Sequence, residues 1–355
     1  MRSKKVAALL LTVSVVAGLL SGCGNKIDEN ATFATLNDTT ISMGVANFCA
    51  KYEQAMYDSF YMSYFGENMW ESDLYGTGST MTEDVKSDIA EGLQDMYLLK
   101  EHMAEYDVAL TADEEAAIVA AADEFIAANT KDAIKQVGAE NKENVVEMLR
   151  LNTIQTKMYD RIIQDADTEV SDEEAAQRTF SYVVIDTNGH YDEESNLIEY
   201  TEEEKAGLLA TAETIAAAED FDTAVTDAGY TVSTSSYGSA ADENATMDAS
   251  VLEAADALKE GQVSSVIETE SAYYVLRLDS EFDEEATAAK KEEMIAQKQD
   301  DYYNDILSGW KDAATWTINE EEWAKVTFED HFTAPAAEES TEAVAEEAVV
   351  EDTES

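Results

Sequence analysis

Few residues of this 355-residue chain could do covalent chemistry: two cysteines, Cys23 and Cys49, and three histidines, His102, His190 and His331. Cys49 has no histidine near it in sequence, which gives no support to a thiolate–imidazole pair. Its expected place is among apolar side chains, where free cysteine usually packs. Cys23 stands in another context. Leu20-Ser21-Gly22-Cys23 closes an apolar run from Val6 to Leu20 that follows Arg2, Lys4 and Lys5. A basic start, an apolar run and small residues leading directly into a cysteine form a lipobox, the end of a secretory leader whose exposed thiol is then acylated. The alternative is an ordinary leader with a chance cysteine. The run is short for a transmembrane helix. Diacylglycerol on Cys23 would supply two acyl chains, enough for stable anchoring in the bilayer. Cleavage before Cys23 removes three bases and no acid, taking the formal charge from −55 to −58. Cys49 is then left without a disulfide partner.

The remaining chemical signal is acidic. Asp186-Thr-Asn188-Gly-His190 opens a charged loop that runs to Tyr200 and begins like a calcium loop. Glycine is missing at its sixth position, and Leu197 stands where the bidentate Glu belongs. A solvated hairpin is expected there, with no metal. A formal charge of −55 and a pI near 4.1 exclude nucleic acid as a partner on electrostatic grounds. Anionic lipid would repel the same surface, so membrane attachment requires the covalent anchor.

The elements that position these residues follow from periodicity and punctuation. After a polar tether, Phe33–Leu36 alternates as a strand and meets the turn signal Asn37-Asp38. Ser42 is placed to cap a helix carrying Phe48, Tyr52, Met56, Phe60 and Tyr64 at every fourth position, with Tyr57, Tyr61 and Phe65 beside them. Such a stripe is expected to be core, although its outer members could face a cleft and hold apolar client segments. Gly66–Ser79 reads as a loop. Helices follow with Val85, Ile89, Leu93, Met96, Leu99 and Met103 on one face, then behind the capping box Thr111–Glu114, then from Asn144 to Asp165. Thr168–Val170 followed by Ser171–Glu174 predicts another strand and capped helix.

Arg178–Ile185 is the first strand of a second region. Thr201–Glu204 caps a helix, and Phe221–Ala228 is a short helix stopped by Gly229. Thr231–Ser235 is a strand leading to a turn at Tyr237-Gly238. Met247–Leu258 is a helix, Gly261 a turn, and Val263–Ile267 and Tyr273–Leu278 are apolar strands. A long helix from about 284 to 311 and a strand at Thr315–Ile318 close the folded part. Residues 336–355 hold eight acids and no base, a composition that cannot bury a core.

The stretch Tyr237–Leu278 resembles the second half of a parvulin-type prolyl isomerase domain. There, a helix ending Ala-Leu-Lys, here Ala257-Leu258-Lys259, is followed by a Gly-Glu-Val-Ser turn, here Gly261-Gln262-Val263-Ser264, and a closing strand. Phe33-Ala-Thr-Leu-Asn37 with Ile41-Ser42 looks like the opening of a SurA-like chaperone domain. Glu147–Asn152, Lys157–Tyr159 and Val170–Glu174 look like its last helix and exit. With the lipobox, these matches resemble PrsA-type foldase lipoproteins over about residues 20–318.

The resemblance implies an α+β protein. A mostly helical chaperone domain formed by N- and C-terminal segments would carry an inserted parvulin-like α+β domain, an antiparallel sheet flanked by helices. The implied limits are a leader at 1–22, a lipidated tether at 23–32 and the chaperone domain at 33–177. The isomerase domain would span 178–281, a returning helix and strand 282–334, and an acidic disordered tail 335–355.

The implied reaction is rotation about an X-Pro amide, which takes tens to hundreds of seconds uncatalysed because the C–N bond has partial double-bond character. It needs an apolar slot for the proline ring, and no covalent step or cofactor. On the family pattern Met247 matches the slot methionine, Val251 the slot aromatic and Tyr237 the slot leucine. Both family histidines are replaced, by Tyr182 in Ser181-Tyr-Val-Val-Ile185 and by Tyr274 in Ala272-Tyr-Tyr-Val-Leu276. The acid or thiol of the family has no counterpart; Asp227 is the nearest acid. The two tyrosines would either hold the scaffold by hydroxyl hydrogen bonds or stand at the amide.

What the resemblance implies is a membrane-tethered extracytoplasmic folding factor, peptidyl-prolyl isomerase-like with chaperone activity. Its partners would be unfolded or partly folded secreted proteins and their X-Pro segments. A non-catalytic holdase is the alternative. A small-solute-binding lipoprotein is disfavoured, because no alternation of strands and helices builds two α/β lobes.

Overall fold

The computed structural model describes residues 16–17, 27–66, 68–192, 194–238 and 247–333. Cys23 and the acidic tail lie outside the described residues, as does the leader apart from Val16–Ala17, which pairs with Phe332–Thr333. The fold is α+β, and the chain divides into two compact units. One joins the residues up to Asp165 with those from Tyr303 on; the other is Ala166–Tyr302.

The first unit opens with a hairpin of β1 (Thr32–Leu36) and β2 (Thr39–Ser42). Asn37 enters the left-handed region (φ 51°) to make the turn, a conformation asparagine tolerates. Ser42 Oγ then accepts from the Val45 N–H and starts α1 (Met43–Phe65). Capping boxes start α2 (Met81–His102) at Thr80/Glu83 and α3 (Ala112–Ala128) at Thr111/Glu114. After α4 (Lys131–Gln136) comes α5 (Lys142–Ile162), which begins two residues before the expected Asn144 because Asn141 caps it. Phe48, Ile118, Phe125, Val145 and Val146 form the core between these helices. Burial pushes the Cys49 thiol up to about 12, so it stays protonated and inert.

The stripe on α1 divides. Phe48 and Ala55 are buried, but Phe60, Tyr61, Tyr64 and Phe65 are 61, 47, 82 and 55 % exposed, so the stripe is core up to Asp58 and its outer members are open, as the sequence had allowed. The periodicity is right; among the described residues no other element covers the last two turns.

After the chain has returned to this unit at Tyr303, the strand Trp316–Ile318 pairs antiparallel with β1. The short helix Glu320–Trp323 follows, and the Trp323 ring meets Phe33 at 4.8 Å. Residues 323–332 then form a strap held by side chains of α1 and α2. Lys86 Nζ donates to the Trp323 and Val326 carbonyls, Lys51 Nζ to that of Thr327, and Gln54 Nε2 to those of Phe328 and Asp330. The buried Asp58 carboxylate accepts from Trp70 Nε1 and from the Phe332 N–H, both at 2.8 Å.

In the second unit, Ser171 and Glu174 exchange capping-box hydrogen bonds, but no helix follows. The chain is drawn away at Gln177, whose N–H donates to Thr287 Oγ1 and whose carbonyl accepts from Asp283. Next come β3 (Arg178–Asp186), a hairpin of β4 (Gly189–Tyr191) and β5 (Leu197–Glu199), α6 (Glu202–Ala216) and α7 (Phe221–Asp227). Then follow β6 (Ser233–Tyr237), α8 (Ala249–Asp256), β7 (Ile267–Glu268) and β8 (Ala272–Ser280). The last helix, α9 (Glu284–Ala313), starts in this unit and ends in the first.

The sheet is four-stranded and antiparallel, in the order β6-β3-β8-β7. Two sequence expectations shift. Strand β6 runs on through Tyr237, which pairs with Arg178 instead of turning. Val263 makes one isolated bridge to Arg277, and β7 starts only at Ile267. Gly261 takes φ 79°, which lets its N–H reach the Leu278 carbonyl at 2.7 Å.

Candidate functional site

Alternation along the two long central strands decides what faces what. Val183, Ile185, Tyr273 and Val275 point to one side and pack under α6 and α7. Phe180, Tyr182, Tyr274, Leu276 and Leu278 point to the other and meet α8. In this register Tyr182 lies opposite Leu276 and Val184 opposite Tyr274, which makes Tyr182 and Tyr274 diagonal neighbours. Their rings lie 6.3 Å apart at 27°, and among the described residues neither hydroxyl is a hydrogen-bond partner of the other. Between the two side chains themselves the contact is ring stacking.

Phe180 is the hub beneath them, 5.6 Å from the Tyr182 ring and 5.6 Å from the Tyr237 ring. Both ends of α8 are fixed. At its start Asp248 accepts from the Ser250 N–H and hydroxyl, at 2.8 and 2.6 Å, which holds its carboxyl below the ordinary range. At its end the Arg178 guanidinium donates to the Ala255 and Leu258 carbonyls, where the helix dipole favours a cation. The Tyr237 hydroxyl donates to Asp256 Oδ1 at 2.8 Å, tying β6 to the same helix. Burial, then the Asp256 bond, pushes that phenol above its ordinary value.

Five residues singled out by sequence therefore meet on one sheet face: Tyr182, Tyr274, Met247, Val251 and Tyr237. They do not stand alike toward solvent. Met247, Tyr182 and Tyr274 are half-buried and reachable. Val251 is fully buried and Tyr237 nearly so, which makes them floor and support. Val184, 39 % exposed, and the half-buried Ile267 lie on the open part of the face and were not anticipated. Phe180, Arg178 and Asp256 were missed too. Alternation in Phe180-x-Tyr182-x-Val184 is the signal that could have found the first and the exposed valine. The run Phe-Ser-Tyr-Val-Val-Ile hides it, because nearly every member is apolar.

The face can offer an apolar bed and two phenol hydroxyls. Burial, then Tyr182, Asp248 and Asp186, raise the Tyr274 pKa above its ordinary value. It therefore remains a neutral donor across physiological pH. The described residues include no group of three or more His, Cys, Asp or Glu placed to hold a metal ion. No helix among them is long and apolar enough to cross a membrane.

Residues 172–291, all within the second unit, match the family model of the PPIC-type PPIASE domain. No curated protein matches the chain. Among solved structures, it is similar to the foldase protein PrsA from Streptococcus pneumoniae, at 20 % identity and a TM-score of 0.31, over 71 % of this chain and 97 % of that one. A SurA-like chaperone structure from Campylobacter jejuni, described for PEB4 and Cj1289, is similar at 12 % identity and a TM-score of 0.29, over 81 and 99 % of the two chains. The peptidylprolyl isomerase PrsA from Bacillus cereus follows at 17 % and 0.30, over 69 and 91 %. The domain match and the residues of the sheet face themselves support the function proposed next.

Proposed function

We propose that the chain is an extracytoplasmic folding factor for secreted proteins, held to the membrane by acylated Cys23, with a peptidyl-prolyl isomerase domain and a helical chaperone unit. The isomerase domain corresponds to about 178–281, the chaperone domain to 33–177 with the returning segment 282–334. The observation that carries this reading is the match of residues 172–291 to the PPIC-type domain, joined to the convergence of Met247, Tyr182 and Tyr274 on one open sheet face. An X-Pro segment lies across that face, with its ring against Met247 and Val184 over the Val251 floor. An apolar bed disfavours the solvated planar amide, and a phenol hydroxyl donates to the amide as it twists. No proton changes hands and no cofactor takes part.

A second reading keeps the fold and drops the catalysis. Tyrosine stands at both positions where the family has histidine, which favours a holdase whose sheet face only binds client segments. Isomerisation of a proline peptide, followed by NMR exchange on the full chain, separates the two. Acceleration that falls about ten-fold in Met247→Ala, with an unchanged melting curve, supports the isomerase. No acceleration, beside suppression of client aggregation, leaves the holdase. Metabolic labelling with palmitate tests the anchor, since Cys23→Ala should abolish incorporation.

A further inference from the structure

The far end of α1 is an apolar surface that the isomerase reading does not use. Tyr57, Tyr61 and Phe65 follow one another at every fourth residue, with ring centroids 5.5 and 6.4 Å apart, and the buried Trp70 backs Tyr57 at 5.8 Å. Phe60 and Tyr64 form a second row beside the first on the same helix. Tyr75, 61 % exposed, lies near enough to Tyr57 to act on its ionisation. From Tyr57 to Phe65 the helix rises about 12 Å, the reach of about four residues of extended chain. The surface is a strip, suited to a polypeptide and too open for a small ligand.

Its electrostatic setting is one-sided. Between Lys51 and Lys86 the sequence has no base and seven acids: Glu53, Asp58, Glu67, Glu71, Asp73, Glu83 and Asp84. Elsewhere the protein seats its own cations on its own rings: Lys51 over Phe328, Lys86 over Trp323, Arg161 over Tyr106 and Arg277 over Phe221, at 4.9 to 5.7 Å. At the tip of α1 the rings stand without such a partner among the described residues. Ring faces within an acidic field attract lysine and arginine. A second copy of this chain, at −55, would bring like charge to the same place.

We propose that this aromatic tip is a docking site for unfolded client segments in which lysine or arginine flanks apolar residues. The proposal rests on the folding-factor reading and specifies the clients of its helical unit. Charge brings the segment in, and the two rows of rings hold its side chains by stacking and cation–π contact. The site requires no proline and acts independently of the sheet face.

The test is fluorescence anisotropy of a labelled, proline-free peptide alternating Lys-Lys with Leu-Phe, titrated with the full chain. The control peptide has Glu for every Lys. Binding of the basic peptide alone is expected, weakening several-fold between about 50 and 500 mM salt. The combined variant F60S/Y61S/Y64S/F65S should lose about ten-fold or more in affinity. Tyr64→Lys alone should weaken binding without touching any buried group. The expected rate of X-Pro isomerisation is the same in both variants as in the unmodified chain, so loss of the tip and loss of the isomerase read out separately. Unchanged affinity in both variants, or equal binding of the Glu peptide, overturns the proposal. So does a dimer, seen by sedimentation, that the four-serine variant abolishes, since it would give the tip to a second copy.

Discussion

Two aromatic surfaces of this protein, one in each unit, are built on opposite principles. On the sheet face the reachable rings Tyr182 and Tyr274 rest on buried Phe180, Val251 and Leu276. Hydrogen bonds from Arg178 and Tyr237 set the helix above them. At the tip of α1 the rings stand on a single helix and have open solvent around them. The first arrangement fixes distances, as selecting one geometry of an amide requires. The second offers adaptable area, as holding many sequences requires. Similar residue types are thus held rigidly in one place and left open in the other, and backing decides which.

The widest separation between them should appear in stability. Phe180→Ala removes the hub of the sheet face and should cost about 3–5 kcal/mol by urea denaturation. Phe60→Ala, at a site 61 % exposed, should stay within about 0.5 kcal/mol. Equal losses would mean that the tip is packed in solution. Asp58 marks the boundary on α1 between packed and open turns. Asp58→Ala strands the Trp70 and Phe332 N–H donors in a buried site and should cost about 2–4 kcal/mol, read as a lower melting temperature of the first unit. An unchanged melt would show that the strap contributes nothing there.

A smaller effect belongs to Tyr237→Phe, which deletes only the bond to Asp256. About 1 kcal/mol of stability and a few-fold in isomerisation should go, with binding at the α1 tip unaffected. The smallest is a slope with pH. Burial lowers Lys51 to about 8 from an ordinary 10.5, against the opposing pull of Asp330, Asp58 and Glu329. Between those values the unfolded chain binds a proton that the folded chain has released, so stability rises with pH through this window. Lys86, lowered by burial as well, adds the same sign. Cys49 and the raised tyrosines Tyr237 and Tyr274 act with the opposite sign as the unfolded chain ionises, so the readout is a difference: the melting temperature of the unmodified chain minus that of Lys51→Met should grow from pH 8 to 9.5. A difference that stays constant over this range would place the slope elsewhere.

What was legible in the sequence was local. Ser42, Thr111 and Thr201 cap helices where their spacing to the first turn said they would. Periodicity located α1, α2 and α5, and the apolar runs located β3 and β8. Coverage was not legible, because a stripe reads the same whether or not another element lies on it. That is why the stripe on α1 could be read as core or as open at its outer end, and the structure alone divides it at Asp58. Ser171 shows the same limit from the other side: its capping box forms, yet tertiary bonds to Asp283 and Thr287 take the chain elsewhere. At the candidate site, register was the missing quantity. Tyr182 and Tyr274 were found by pattern, but their diagonal stacking, and the burial of Val251 and Tyr237, depend on which residue of β3 pairs with which of β8.

The pairing of Trp316–Ile318 with Thr32–Leu36 joins residues some 280 positions apart. Synthesis from the N-terminus delivers Ala166–Tyr302 complete while the edge of Thr32–Leu36 still waits for its partner. The internal unit can fold as soon as it is complete, and the unit that encloses it in sequence can close only after residue 318 has been made. Until then one edge of its first strand stays unpaired.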